Sequence, residues 1–217
     1  MFRDRGHAGE RLAAHLAERL TERGPDAVVV LGIPRGGMVV AAPVARTLQA
    51  AFDVIVPRKV GAPDNPELAV AAVALAGPEE IVLRDEGTLA WLGIPPGYVE
   101  EEARRQRHEI ERREQAYRGG RAPVPIAGRT VVLVDDGIAT GLTARAAAEA
   151  VARSQPRQVI LAVPLAPRDT VRDFAARGLR LEALESPSPF LSVGRFYDDF
   201  RQVEDDEVRA VLASHSP

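Results

Sequence analysis

Uncharged apolar runs recur along the chain, and most are followed by a stretch in which apolar positions return every three or four residues. The opening stretch, 7–23, predicts an amphipathic helix. Ala8, Leu12, Leu16 and Leu20 share one face, and Gly24-Pro25 stops it. Residues 27–31, 52–56, 131–134 and 157–163 are dominated by apolar, often β-branched side chains, the kind of run buried on both faces inside a parallel sheet. Helical patterns follow at 38–48, 144–153 and, after a turn, within 164–177. Residues 179–185 alternate Leu or Ala with charged side chains and predict an edge strand with one wet face. Strand and helix in alternation predict an α/β fold: a mainly parallel twisted sheet with helices on both faces, joined by right-handed crossovers. In such sheets the ligand loops lie at the carboxyl ends of the strands.

The pattern is less regular elsewhere. Val60 to Glu67 holds two prolines, a glycine and Asp-Asn, and predicts a loop. Residues 68–77 read as a strand, paired with 80–83 as a small hairpin or as the next member of the sheet. From 84 to 128 the chain becomes highly charged: a linker at 93–97, a long helix over 98–118, and a Gly/Pro/Arg-rich tether back to the sheet. Glu100–Arg104, Glu101–Arg105 and Glu109–Arg113 stand four apart in the stabilising order, and Val99, Ala103, Ile110 and Tyr117 form a thin apolar stripe. This helix reads as a solvated helix on the domain, as a lid, or as the arm of a homodimer. Aromatics concentrate at 186–200, and a short helix closes the chain over 203–213. The organisation expected is one domain over 1–217, with a helical insertion at 84–128 and a C-terminal hood or tail at 186–217.

Composition narrows the classes. The 217 residues are 46% apolar and 27% charged, ordinary for a globular chain; aromatics are 5%, so the core rests on Val, Leu, Ile and Ala. A net charge of −3 argues against a nucleic-acid partner. The absence of cysteine excludes disulfides, thiol nucleophiles and zinc–thiolate sites. No apolar run approaches the roughly 20 residues that span a bilayer, and charges stand where a signal peptide needs an apolar run. The expectation is a cytoplasmic protein with no membrane partner.

The chemistry is concentrated in 131–143, Val-Val-Leu-Val-Asp-Asp-Gly-Ile-Ala-Thr-Gly-Leu-Thr. A buried strand ends in two adjacent carboxylates, and a small-residue loop then opens a helix. Loop amides and a helix N-terminus can hold a phosphate, and the carboxylates can accept hydrogen bonds from a pair of hydroxyls. A sugar phosphate satisfies both. The stretch resembles the ribose-phosphate signature of the type I phosphoribosyltransferases, and every position of that pattern fits.

The resemblance implies a specific site. Asp135 and Asp136 take the ribose hydroxyls of 5-phosphoribosyl 1-pyrophosphate (PRPP) and serve a Mg²⁺ ion directly or through water. Ala139, Thr140, Gly141, Leu142 and Thr143 take the 5-phosphate. The loop at 32–37 is similar to the family's pyrophosphate loop, which assigns Pro34, Arg35, Gly36 and Gly37 to that group and implies a cis peptide between Pro34 and Arg35. Arg58 and Lys59 fall where related enzymes carry a basic residue against pyrophosphate. Residues 60–67 fall at the family's flexible catalytic loop but lack the basic residues that the orotate enzymes carry there. In the tail, the Val193-Gly194 pair aligns Phe190 with a base-stacking position and Asp198 with a metal-linked acid. The 6-oxopurine enzymes commonly have a proton-exchanging Asp just before the loop Thr; Ala139 stands there, which argues against a hypoxanthine/guanine-type acceptor.

The function this implies is Mg²⁺-dependent transfer of a phosphoribosyl group between PRPP and a nitrogenous base. The alternative is a PRPP- or nucleotide-binding sensor that kept the loops and lost catalysis. A phosphatase-like reading with Asp135 as nucleophile would need a lysine partner, and Lys59 is the only lysine.

Overall fold

The computed structural model describes residues 1–77, 79–95 and 97–215. Pro78, between the two hairpin strands, Pro96, inside the linker expected at 93–97, and Ser216-Pro217, ending the tail, lie outside the described residues. In chain order the elements are α1 (Arg5–Arg19), β1 (Val28–Gly32), α2 (Gly36–Leu48), β2 (Ala51–Val54), β3 (Arg58–Ala62), β4 (Asn65–Ala76), β5 (Glu79–Arg84), α3 (Glu86–Leu92), α4 (Tyr98–Arg118), β6 (Thr130–Val134), α5 (Leu142–Arg153), β7 (Gln158–Leu165), α6 (Arg168–Ala176), β8 (Arg180–Glu185), a 3₁₀ turn (Val193–Phe196) and α7 (Asp205–Ala213).

The apolar runs build one five-stranded sheet in the order β2-β1-β6-β7-β8, with every pair parallel. Alternate residues of each strand supply two cores. Val28, Val30, Val132 and Val134 face α1 and α2; Val29, Leu31, Val131 and Leu133 face the alanine side of α5 and Phe174 of α6. The chain leaves β1 toward β2 and later returns to β6 on the other side. Between β1 and β6 the order reverses, the place where sheets of this kind carry their ligand loops.

The segment after β2 differs from the sequence expectation. Arg58 and Lys59 do not end a strand of the main sheet. Pro57, which lacks an amide donor, precedes them, and they open β3 in a second, antiparallel sheet β3-β4-β5. Residues 60–67 are not an open loop. They are the arms and two-residue turn of a hairpin, with Ala62 paired to Asn65 and Pro63-Asp64 at the turn. The register slips around Gly61, where a Cβ would lie 2.4 Å from the Pro66 carbonyl oxygen. The expected pairing of 68–77 with 80–83 is present as β4 against β5. This small sheet packs on α5, beside the signature loop.

The charged helix spans the residues expected, and its buried side chains are Val99, Ala103, Ile110 and Tyr117. It lies on the domain, against β4, β3, β2 and α7. Of the expected pairs, Arg105 meets Glu101 and Arg113 meets Glu109, whereas Glu100 pairs with Arg84 instead of Arg104. Its C-terminal end is fixed by Arg118, which bonds buried Asp53 at 2.9 Å, Glu114 at 2.8 Å and the Val54 carbonyl at 2.8 Å. α3 was not anticipated. Asp85 caps it through the Thr88 amide, and none of its residues is buried.

The aromatic tail returns to the N-terminus. Phe2 exchanges backbone hydrogen bonds with Phe196 and Asp198, and Phe2, Tyr197, Phe190, Phe196 and Phe200 form a third, smaller cluster. No helix among the described residues is long and apolar enough to cross a membrane.

Candidate active site

β1 and β6 remain paired to their ends, since the Ile33 amide donates to the Val134 carbonyl at 2.8 Å. Beyond that point the chain after β1 folds onto the acids after β6. The Pro34–Arg35 peptide is cis, and α2 begins at Gly36, earlier than the expected position 38. Both glycines are there because the acids are close. A Cβ on Gly36 would stand 1.9 Å from Asp136 Oδ2, and one on Gly37 would stand 2.7 Å from the Val134 carbonyl and 3.0 Å from Asp135 Oδ1.

The two carboxylates are partly buried and differently held. Asp135 Oδ1 accepts the Asp136 amide at 2.8 Å. Asp136 Oδ2 accepts Arg5 Nε at 2.7 Å, between side chains that are 17% and 11% exposed. Arg5 is itself fixed, with Nη1 donating to the Arg201 carbonyl at 2.7 Å and its guanidinium 3.8 Å above the Phe200 ring. Tyr197 donates its hydroxyl to the Asp136 carbonyl at 2.6 Å. Burial, and then the Asp136 charge, push Asp135 well above the usual carboxylate range. Burial also raises Asp136, and the Arg5 hydrogen bond pulls it back. Among the described residues Arg5 occupies one oxygen of Asp136 and the chain amide one oxygen of Asp135. The remaining oxygens can accept a pair of hydroxyls.

The loop from Gly137 to Gly141 lies between these acids and α5. Gly137 runs against Val193, where a Cβ would come within 2.6 Å of its methyl, and Gly141 adopts φ +76 under Phe174. Ala139 and Thr140 are exposed. The Ala139 carbonyl is held at 2.7 Å by the Thr170 hydroxyl of α6. Leu142 and Thr143 open α5 behind Gly141, with no side-chain cap, so the first amides of the helix are free to meet an anion. Thr140 borders two cavities, one of about 680 Å³ on the hairpin side and one of about 600 Å³ on the tail side.

The remaining expected residues divide. Lys59 shares a face of the small sheet with Ala72, which packs toward α5, and pairs with Glu67 at 2.7 Å. Arg58 is on the opposite face and donates to Gln106 of α4 at 2.9 Å, so it is not brought to the acids. Arg35 reaches Glu204 at 3.6 Å. Phe190 lines the tail-side cavity and stacks on Phe196 at 5.6 Å. Asp198 is exposed, and its amide bonds Phe2. Arg5 and Tyr197 were missed. Their only signal was the requirement that two adjacent buried acids find a cation and a donor somewhere in the chain.

An all-parallel sheet with two adjacent acids at its reversal point and an uncapped helix start just beyond them defines an α/β protein with its candidate site at the strand ends. The comparisons identify which kind. Residues 4–175 match the family model for the phosphoribosyl transferase domain, and the chain belongs to that family. A protein of Mycobacterium tuberculosis, present in strains CDC 1551 and H37Rv under a provisional name as a phosphoribosyl transferase, is 42% identical over 212 residues, 98% of this chain. That alignment covers 46% of the relative, so the chain spans about half the length of the curated relatives it matches. The crystal structure of TT1426 from Thermus thermophilus is 43% identical with a TM-score of 0.81, covering 100% of this chain and 99% of that one.

Proposed function

We propose that the chain binds PRPP at the carboxyl ends of β1 and β6 and transfers its phosphoribosyl group to, or from, a nitrogenous base. The observation that supports this most is the joint placement of Asp135, Asp136 and the uncapped start of α5, on one continuous turn of chain. The free oxygens of the acids accept the ribose hydroxyls, and the amides and hydroxyls of 139–143 take the 5-phosphate. Lys59, on the α5-facing side of the hairpin, would supply a cation to the pyrophosphate together with Arg35 of the 34–37 loop. Such a displacement needs positioning and charge neutralisation more than a protein nucleophile.

The donor set fits Mg²⁺. Two carboxylates present the hard oxygens that this ion prefers, and no cluster of three or more His, Cys, Asp or Glu ligands exists among the described residues. When bound, it neutralises charge on the leaving group. Asp135 and Asp136 would hold it directly or through water.

A second reading, binding without turnover, is favoured by one observation: the segment at the family's catalytic loop is a tight Pro63-Asp64 hairpin whose one lysine is paired with Glu67. Pyrophosphate release from PRPP and Mg²⁺ across a panel of bases separates the two. Turnover supports the transferase; tight PRPP binding with no release supports the sensor.

A further inference from the structure

We propose that the acceptor carries an anionic group, recognised by Arg168 and Arg172 in the tail-side cavity. The inference rests on PRPP being the donor at the adjacent loop.

The cavity of about 600 Å³ opens against Ala139 and Thr140, with the first turn of α6 on one side and residues 187–191 on the other. That volume suits a small organic ligand. Because Thr170 of α6 bonds the Ala139 carbonyl, this wall is fixed to the phosphate loop, and a ligand in the cavity abuts a sugar held there. Phe190, backed by Phe196, and Leu191, 67% exposed at the rim, offer an apolar surface for a flat ring.

The charges decide the class of ligand. The charged groups lining the cavity are Arg168, Arg172 and Asp169, a net positive wall. Asp169 meets Arg172 at 3.3 Å, but both side chains are highly exposed, so the pair is weak and Arg172 can exchange it for a bound anion. Arg168 is anchored through Nε to the Ser186 carbonyl at 3.2 Å, which leaves its terminal nitrogens for a ligand. Position 139 offers only a methyl group, so this residue takes no proton from a neutral base. A carboxylate or similar anion, by contrast, can pair with a guanidinium on this wall through charge-assisted hydrogen bonds. The hairpin-side cavity does not make the same case. Its Arg84, Arg145 and Arg177 are matched by Glu67, Asp85 and Glu86, so that wall carries no net charge. In the transfer, the lone pair of the acceptor's ring nitrogen forms the N–C1 bond. The C1–O bond breaks with its electron pair leaving on pyrophosphate, and any proton on the nitrogen goes to water.

The test uses two matched probe pairs on the full chain with PRPP and Mg²⁺: pyridine-3-carboxylate against pyridine-3-carboxamide, and uracil-6-carboxylate against uracil. Binding is read by saturation-transfer NMR, with pyrophosphate release followed in the same samples. At least one carboxylate is expected to bind about tenfold or more tightly than its neutral partner, as charge-assisted bonds of this kind provide. The double variant Arg168→Gln/Arg172→Gln is expected to lose that preference while its PRPP affinity holds; both side chains are exposed, so folding is not at issue. If the wild-type chain binds PRPP but shows an equal or inverted ratio, binds none of the four probes, or keeps its ratio in the double variant, the inference is overturned and the donor assignment stands. If PRPP does not bind at all, both fall.

Discussion

Arg5 Nε lies 2.7 Å from Asp136 Oδ2, joining residues 131 positions apart. The bond ties the first turn of the chain to the second acid of the signature, and Phe200 covers the guanidinium. It holds Asp136 in one rotamer and favours its ionised form against burial. Arg5→Gln is therefore expected to weaken PRPP binding about tenfold, the cost of one charge-assisted bond, with Arg5→Lys recovering part of the loss. Calorimetric titration with PRPP and Mg²⁺ measures it. Tighter binding by Arg5→Gln would instead mark the arginine as a competitor of the ligand.

Gly36 allows that acid to stand where it does. In Gly36→Ala the new methyl group would coincide with Asp136 Oδ2 and crowd Arg5 Nε at 2.6 Å, so one must move. We expect a loss of about 1–3 kcal/mol in urea unfolding together with loss of PRPP binding. Wild-type stability in the alanine variant would contradict the close approach.

The account of α4 as a fixed element depends on Arg118. Its partner Asp53 is 4% exposed and also accepts the amides of Val54 and Val124. Arg118→Met leaves that carboxylate buried without its cation, and about 3–5 kcal/mol of stability should be lost. A loss within about 0.5 kcal/mol, typical of a surface site, would restore the reading of this helix as a mobile lid.

Glu109 on the same helix is held down to about 2 by hydrogen bonds from Arg112 and Arg113. A carboxyl whose folded value is depressed stabilises the fold above its unfolded value, roughly 4.3, and that contribution is lost as pH falls through the folded value. The stability difference between wild type and Glu109→Gln should accordingly be constant above about pH 5 and shrink toward about pH 2. A difference that grows on acidification would reverse the sign of the assignment.

The sheet, its helices and the long charged helix were legible because their signals are local: β-branched runs, a helical period of about 3.6 residues, and Gly or Pro at the ends. The same holds for Asp135 to Thr143, which occupy one unbroken stretch. What escaped was set by contacts distant in sequence. The prolines and glycine of 60–67 read as a loop, yet cross-strand pairing with β4 makes them a hairpin. Arg58 and Lys59 are adjacent in sequence, and strand alternation sends them to opposite faces. Arg5 looked like one charge among several at the N-terminus. Only the fold places it against Asp136.

The central claim is that the paired acids and the following loop hold PRPP, and titration of wild type and Asp136→Asn with PRPP and Mg²⁺ tests it most directly. The account predicts measurable binding by the wild type and its loss in a variant that still unfolds cooperatively. Equal affinity in the two proteins would contradict it.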